Sequence, residues 1–415
     1  MPMRDRLKRF LFIRIINLGT NLRIFGRISK YPLPISPIIR TFAFILVNNE
    51  LNSIVNMKKI FFAILAMAFA VTATAQTKWT KVEASSLNLV GKAFYDTPNP
   101  YHRVDTVRFK GFTSGENMQC RVPAGLAVLF KTDAKTIGVC ADIAERSKAT
   151  YRSYRGFDLY IKKDGQWLWA GMDDFGPDHK DPDKILTLVT AMAEGEKECL
   201  LYLPLYSELR SCKVCVPEGS HITSLESPFR HKIVFHGSSF THGISTGRAG
   251  MSYPVQFQRR TGLQPITLGF SGNCKMQPYF ADMLEKVEAD AYIFDPFSNP
   301  NIPMIRERLL PFIDRMVKAH PGKPIIIQRT IYWERENFNT DSQKEFGGRR
   351  ALSDSLMAIA CKQYKDVYYL KPDAALHNGE SSTADGVHPN DNGYSVWERS
   401  IEKPVLKILK KYGIK

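Results

Sequence analysis

The apolar and polar positions of this chain change rhythm once. From residue 77 to about residue 222 the apolar residues come in short runs: DTVRFKG, AVLFKT, TIGVCADI, GFDLYIKKDGQWLWAGM, ECLLYLPLY and CKVCVPE, broken by Gly, Asn, Asp and Pro. Short β-rich runs bounded by turn formers predict strands. Asp164-Gly165 between two such arms predicts a tight hairpin. No long amphipathic helix is visible, so this half is expected to be an antiparallel β-sandwich. The acidic stretch DDFGPDHKDPDK lacks the spacing of a calcium loop and reads as a solvated connection.

After Pro228 the pattern alternates. The apolar strands KIVFHG, PITLGF, AYIFDPF, PIIIQRT and DVYYLKP are separated by helical stretches, among them MQPYFADMLEKVE, MIRERLLPFIDRMVKAH, ALSDSLMAIACKQYK and SVWERSIEKPVLKILKKY. Strand-helix alternation predicts βαβ units and a parallel sheet covered on both faces, here with five strands. The chemistry of such sheets gathers in the loops at the carboxyl ends of the strands.

Those ends carry a set of residues that belong together. The first strand runs into Gly237-Ser238-Ser239, the second into GFSGN with Gly272, the third into DPFSNP with Asn299. After the fifth comes TADGVHPNDNGY, with Asp385 three residues before His388. Each piece alone is an ordinary turn; their order and their common rim are what is specific. A serine hydroxyl becomes nucleophilic when a neutral imidazole takes its proton, and a carboxylate on the other ring nitrogen fixes the tautomer. The oxyanion then needs preorganised donors, which the Ser239 and Gly272 backbone N–H groups and the Asn299 amide would supply. Ser238 is the alternative nucleophile; register with Gly243 favours Ser239.

The remaining features change the picture in three places. The formal charge of +16 invites a nucleic-acid or membrane reading. However, residues 1–75 hold eleven Lys/Arg against two acids, a net +9, which leaves an ordinary +7 for the rest. Within that segment MKKIFFAILAMAFAVTATAQ, from Met57, has the charged start, apolar run and small-residue cleavage site of a secretory signal peptide. A buried or membrane-anchoring helix is the alternative. Translation is expected to start at Met57, with residues 1–56 an over-extended reading frame and a genuine basic extension the runner-up. Finally, the seven cysteines are odd in number and irregular in spacing. They predict no disulfide framework, and Cys212-x-x-Cys215 reads as structural.

On Ser239 and Gly243, Gly272, Asn299, and the Asp385-x-x-His388 pair, the second half resembles the SGNH (GDSL-type) hydrolases, named for Ser, Gly, Asn and His in four blocks. The first half, through GFDLY at Gly156 to Tyr160, resembles the β-sandwich that precedes SGNH domains in one bacterial subgroup. Beyond the signal peptide read at 57–75, the resemblance implies a β-sandwich at 76–222 and a three-layer α/β/α, flavodoxin-like hydrolase domain at 228–415. Two departures stand out: Ser238 replaces the usual aspartate of the first block, and Asn299 arrives in FSNP.

What the resemblance implies is a secreted or periplasmic serine esterase acting on O-acyl groups, foremost acetyl, on carbohydrate. Its triad is Ser239, His388 and Asp385, with Ser239, Gly272 and Asn299 as the oxyanion hole and no cofactor or metal. Arg248 either reaches a substrate hydroxyl or anion or is a solvated loop arginine. Trp333 either forms a sugar-stacking wall or packs at the rim. The rivals are a lipid or thioester hydrolase of the same chemistry and an inert carbohydrate-binding protein. No nucleic-acid partner and no stable membrane insertion are expected.

Overall fold

In the computed structural model, residues 78–145, 151–374 and 380–415 are described. The expected signal peptide and the upstream extension lie outside them.

The short runs of the first half form two antiparallel sheets. Four strands, β1 (Trp79–Glu83), β4 (Ile137–Glu145), β7 (Leu186–Val189) and β9 (Glu208–Pro217), pair in the order β1-β9-β4-β7. The second sheet has the order β10-β3-β8-β5-β6, with β2 (Asn88–Val90) paired to β3 (Ala127–Thr132). Here β5 is Gly156–Lys163, β6 is Gln166–Asp174, β8 is Lys197–Tyr202 and β10 is Thr223–Ser224. Asp164 and Gly165 take φ of 52° and 78° in the β5–β6 hairpin, as that turn chemistry requires.

The unbroken apolar run of β8 has a physical cause. Leu201 points into the sandwich core beside Phe130, Leu159 and Val214. Leu200 and Tyr202 point the other way, against Tyr160, Ala249 and Val255 of a separate cluster. Around β3, β5 and β8 this sheet is buried on both faces, so those strands lose the alternation of a half-wet sheet.

The expected strand DTVRFKG is not one. The Asp105 carboxylate accepts the Val107 and Arg108 N–H groups at 2.8 and 3.2 Å, closing a turn. Phe109 is thereby turned into the core of the second half. A short helix, α1 (Ser114–Arg121), follows, opened by a reciprocal capping box between Thr113 and Glu116.

The second half forms a five-stranded parallel sheet in the order β12-β11-β13-β14-β15. Its strands are β11 (Arg230–Gly237), β12 (Leu263–Gly269), β13 (Ala291–Asp295), β14 (Ile325–Gln328) and β15 (Val367–Leu370). Alternate residues serve opposite faces. Val234, Phe294 and Ile327 meet α4 (Pro278–Leu284), α5 (Ile302–Ala319) and α6 (Thr340–Gln363). Phe235, Ile293 and Ile326 meet α3 (Tyr253–Thr261) and α7 (Asp391–Lys410). The strand order reverses between β11 and β13, which opens a crevice at their carboxyl ends, where doubly wound sheets bind ligands.

Candidate active site

At the end of β11 the chain must leave a central strand and begin a helix within two residues. Gly237 allows this: a Cβ there would come within 2.2 Å of Thr241 Oγ1 and 2.8 Å of Asp295 Cβ. Ser238 caps the one-turn helix α2 (Ser239–His242), its Oγ accepting the Phe240 N–H at 3.2 Å. Gly243 closes it at φ 94°. Ser239 therefore sits at the first position of a helix at the crevice, 5% exposed, where a backbone N–H has no intrahelical partner.

Ser238 also donates its hydroxyl to Asp295 Oδ2 at 2.7 Å, and Ser298 donates to the other oxygen at 2.9 Å. Asp295 is fully buried at the end of β13, and burial pushes its carboxyl up to about 6 against those two hydrogen bonds. A carboxylate absent from position 238 is thus present one strand over, bonded to the serine that replaced it. Sequence reasoning missed this; an acidic residue closing an apolar strand was the available signal.

The loop after β15 brings the histidine expected to act as base. His388 Nδ1 lies 2.8 Å from Asp385 Oδ2, while Asp385 Oδ1 accepts the His388 and Val387 N–H groups at 2.8 and 3.0 Å. A carboxylate only accepts, so Nδ1 carries a proton, and in the neutral ring Nε2 keeps its lone pair. Burial opposes the Asp385 charge, but the hydrogen bonds from His388 and Val387 outweigh it and hold the carboxyl below its ordinary value. The His388 ring stands edge-on to Phe240, the residue after Ser239, with centroids 5.5 Å apart. Helix α2, which carries Ser239, and the histidine loop thus meet on one rim.

Gly272 adopts φ 72° in a turn closed by the Asn273 N–H on the Phe270 carbonyl at 3.1 Å. Asn299 Oδ1 accepts the Cys274 N–H at 3.1 Å, which leaves its Nδ2 hydrogens as donors. Among the described residues no group of His, Cys, Asp and Glu is arranged to hold a metal. Cys212 faces the sandwich core and Cys215 the opposite face of β9, where it contacts Cys140; residues three apart on a strand cannot act as a pair.

Arg248 lies on the junction between the halves. Its Nε is 3.4 Å from Asp158, the aspartate of GFDLY, and its guanidinium lies 5.0 Å from the Trp169 ring centre. Asp158 is fully buried and also accepts the Gly250 N–H at 2.8 Å and the Trp169 indole N–H at 3.0 Å. Burial raises its carboxyl to about 6, against Arg248. Gly250 has no room for a Cβ, which would lie 2.6 Å from Tyr160 and 2.7 Å from Asp158. Trp333 is 7% exposed, its ring centre 3.7 Å from Phe346 and 6.0 Å from Phe240; it packs behind the histidine loop.

The profile of the GDSL-like lipase/acylhydrolase family matches residues 230–407, and that of the N-terminus of SGNH hydrolase-type esterases matches residues 77–222. A crystal structure of a Bacteroides ovatus protein described as a GDSL-like lipase is 36% identical, covers 80% of this chain and 98% of its own, and superposes with a TM-score of 0.74. The chain belongs to the SGNH (GDSL-type) hydrolases. Two more distant structures share the fold of this SGNH hydrolase. One is a salicylyl-acyltransferase from a tetracycline biosynthetic pathway, 18% identical over 80% of this chain and 98% of that one, with a TM-score of 0.63. The other is a family two carbohydrate esterase from Cellvibrio japonicus, 12% identical over 81% and 99%, with a TM-score of 0.52. No curated protein matches the chain. Among the described residues of this hydrolase, no helix is long and apolar enough to cross a membrane.

Proposed function

We propose that this SGNH hydrolase is a secreted or periplasmic serine esterase that removes O-acyl groups, foremost acetyl, from carbohydrate. The observation that carries the serine mechanism is the Asp385–His388 hydrogen bond of 2.8 Å on a ring packed against the residue next to Ser239. Ser239 Oγ attacks the ester carbonyl carbon while His388 Nε2 takes its proton. The ester C–O bond then breaks, and His388 returns the proton to the leaving alcohol. Water, deprotonated by the same nitrogen, resolves the acyl-enzyme. The oxyanion is met by the Ser239 and Gly272 N–H groups and by Asn299 Nδ2.

The carbohydrate reading is supported by a shared fold with carbohydrate esterases and by the secretory pattern at residues 57–75. Arg248, partly exposed beside Trp169 at the junction of the halves, is the group proposed to meet the sugar; Trp333, buried against Phe346 and Phe240, has the packing role instead. The deciding experiment measures acetate release from acetylated xylo-, manno- and chito-oligosaccharides alongside p-nitrophenyl esters of increasing chain length. A preference for long chains would replace this substrate class with lipid or thioester.

Asn299→Ala is expected to lower kcat on p-nitrophenyl acetate by about 10²- to 10³-fold with little change in KM, because its donor acts on charge that exists only in the transition state. An unchanged kcat would remove Asn299 from the oxyanion hole.

A further inference from the structure

The loop that carries Gly272 is held from outside its own domain. Gln119, on α1 of the first half and 7% exposed, accepts the Ser271 N–H at 2.6 Å through Oε1. It returns a hydrogen bond from Nε2 to the Ser271 carbonyl at 3.0 Å. That carbonyl belongs to the peptide whose N–H is Gly272. A trans peptide is planar, with C=O and N–H pointing in opposite directions, so anchoring the oxygen aims the hydrogen. Asn273 Nδ2 donates to the same oxygen at 2.8 Å.

Gln119 is itself fixed. The buried Arg103 donates to the Gln119 carbonyl at 2.5 Å and to the Thr267 and Gly269 carbonyls of β12, both at 3.1 Å. One cation thereby joins the end of α1 to the end of the strand that feeds the loop. Glu116, one turn earlier, accepts from Tyr279 at 3.0 Å and from Gln277 at 3.2 Å, both in the hydrolase half. The Ser271 hydroxyl is held as well, 2.5 Å from the Tyr206 hydroxyl and 3.4 Å from His242 Nδ1.

We infer that Gln119 is a positioning residue for the oxyanion hole: the β-sandwich half of the chain sets the orientation of the Gly272 N–H. This rests on the proposed role of that N–H. It also gives the N-terminal half a part in the reaction.

The charged and titratable groups around the clamp are Arg103, Glu116, Tyr206 and His242. Burial keeps the His242 imidazole well below its ordinary value and the Tyr206 phenol well above its own, so neither changes charge near neutral pH.

The test combines kinetics and amide exchange on the whole chain. In Gln119→Ala, kcat on p-nitrophenyl acetate is expected to fall about 10- to 100-fold while KM moves less than about twofold. Exchange at residues 270–273 should accelerate while that of β13 does not. Gln119→Glu keeps the acceptor half of the clamp and turns the donor half into a repulsion. Its kcat relative to the unaltered enzyme should therefore recover as the pH falls into the carboxylate range and the side chain regains a proton to donate. A role confined to stability would give no such recovery. Unchanged kcat in both variants, with Ser239→Ala inactive, overturns the Gln119 assignment and leaves the serine mechanism standing. Unaltered exchange at residues 270–273 in Gln119→Ala overturns it whatever the activity. If Ser239→Ala stays active, the serine mechanism falls, and exchange alone decides whether Gln119 orients the loop.

Discussion

Ser239→Ala should lower kcat on a short acyl ester by at least about 10³-fold, toward the 10⁶-fold typical of deleting one member of a cooperating triad. The fold should survive. The cap of the nucleophile helix comes from Ser238 Oγ, and its C-terminus is closed by Gly243; neither depends on the Ser239 hydroxyl. His388→Ala should match it within about tenfold, because serine and base act as one unit. Asp385→Asn should cost about 10⁴-fold, since an amide can present an N–H to Nδ1 and favour the wrong tautomer. Ser238→Ala separates the two adjacent serines. It removes a cap worth about 1 kcal/mol and leaves the attacking hydroxyl, so turnover should persist. The measurement is steady-state kinetics with an active-site phosphonate titration. If Ser239→Ala keeps more than a tenth of the activity while Ser238→Ala has none, the nucleophile has been assigned to the wrong serine.

Ser238→Asp, which restores the family's usual residue at that position, should nonetheless be the most damaging single change to stability near the site. Its carboxylate would lie where the Ser238 hydroxyl now lies, 2.7 Å from Asp295 Oδ2 in a fully buried pocket. Two carboxylates cannot both stay ionised at that separation, and the loss should exceed about 3 kcal/mol at neutral pH, the scale of an uncompensated buried charge. Adding Asp295→Ser should reverse most of it, because the pair then again holds one carboxylate and one hydroxyl. The pH dependence has a definite sign. The Asp295 carboxyl is raised to about 6 in the folded chain. Its contribution is therefore fully present below the ordinary carboxylate value and is lost as pH rises through about 6. Ser238→Asp should accordingly be least harmful at acid pH, where the second proton is retained. Denaturant melts of the two single variants and the double variant form a cycle. Additive losses would mean that the two positions do not interact.

The architecture was legible because it depends on rhythm. Period-two runs and strand-helix alternation follow from burial alone, so a 5-stranded parallel sheet could be read from PIIIQRT and its companions. The residues at the strand ends could be singled out as candidates because acyl-transfer chemistry would restrict their types. What escaped were partnerships between segments far apart in sequence. Gln119 is 152 residues from Ser271, and Asp295 is 57 residues from Ser238; no local pattern links a glutamine to a peptide it clamps. DTVRFKG misled for the opposite reason. Its β-rich composition is genuine, but a local Asp105 turn and one buried phenylalanine decide its conformation. Trp333 shows the same limit, since composition cannot tell a stacking platform from a core ring.

The sheet wedged between two apolar layers has a bearing on how this enzyme can be taken apart. Leu200, Tyr202 and Tyr160 would become wet if the catalytic half were removed, as would Val255 and Ala249 on the other side. A proteolytic nick between residues 218 and 229 should therefore leave two fragments that remain associated, and calorimetry should record one melting peak for both. Fusions that graft either half onto a foreign partner would inherit an adhesive surface in place of a transferable module.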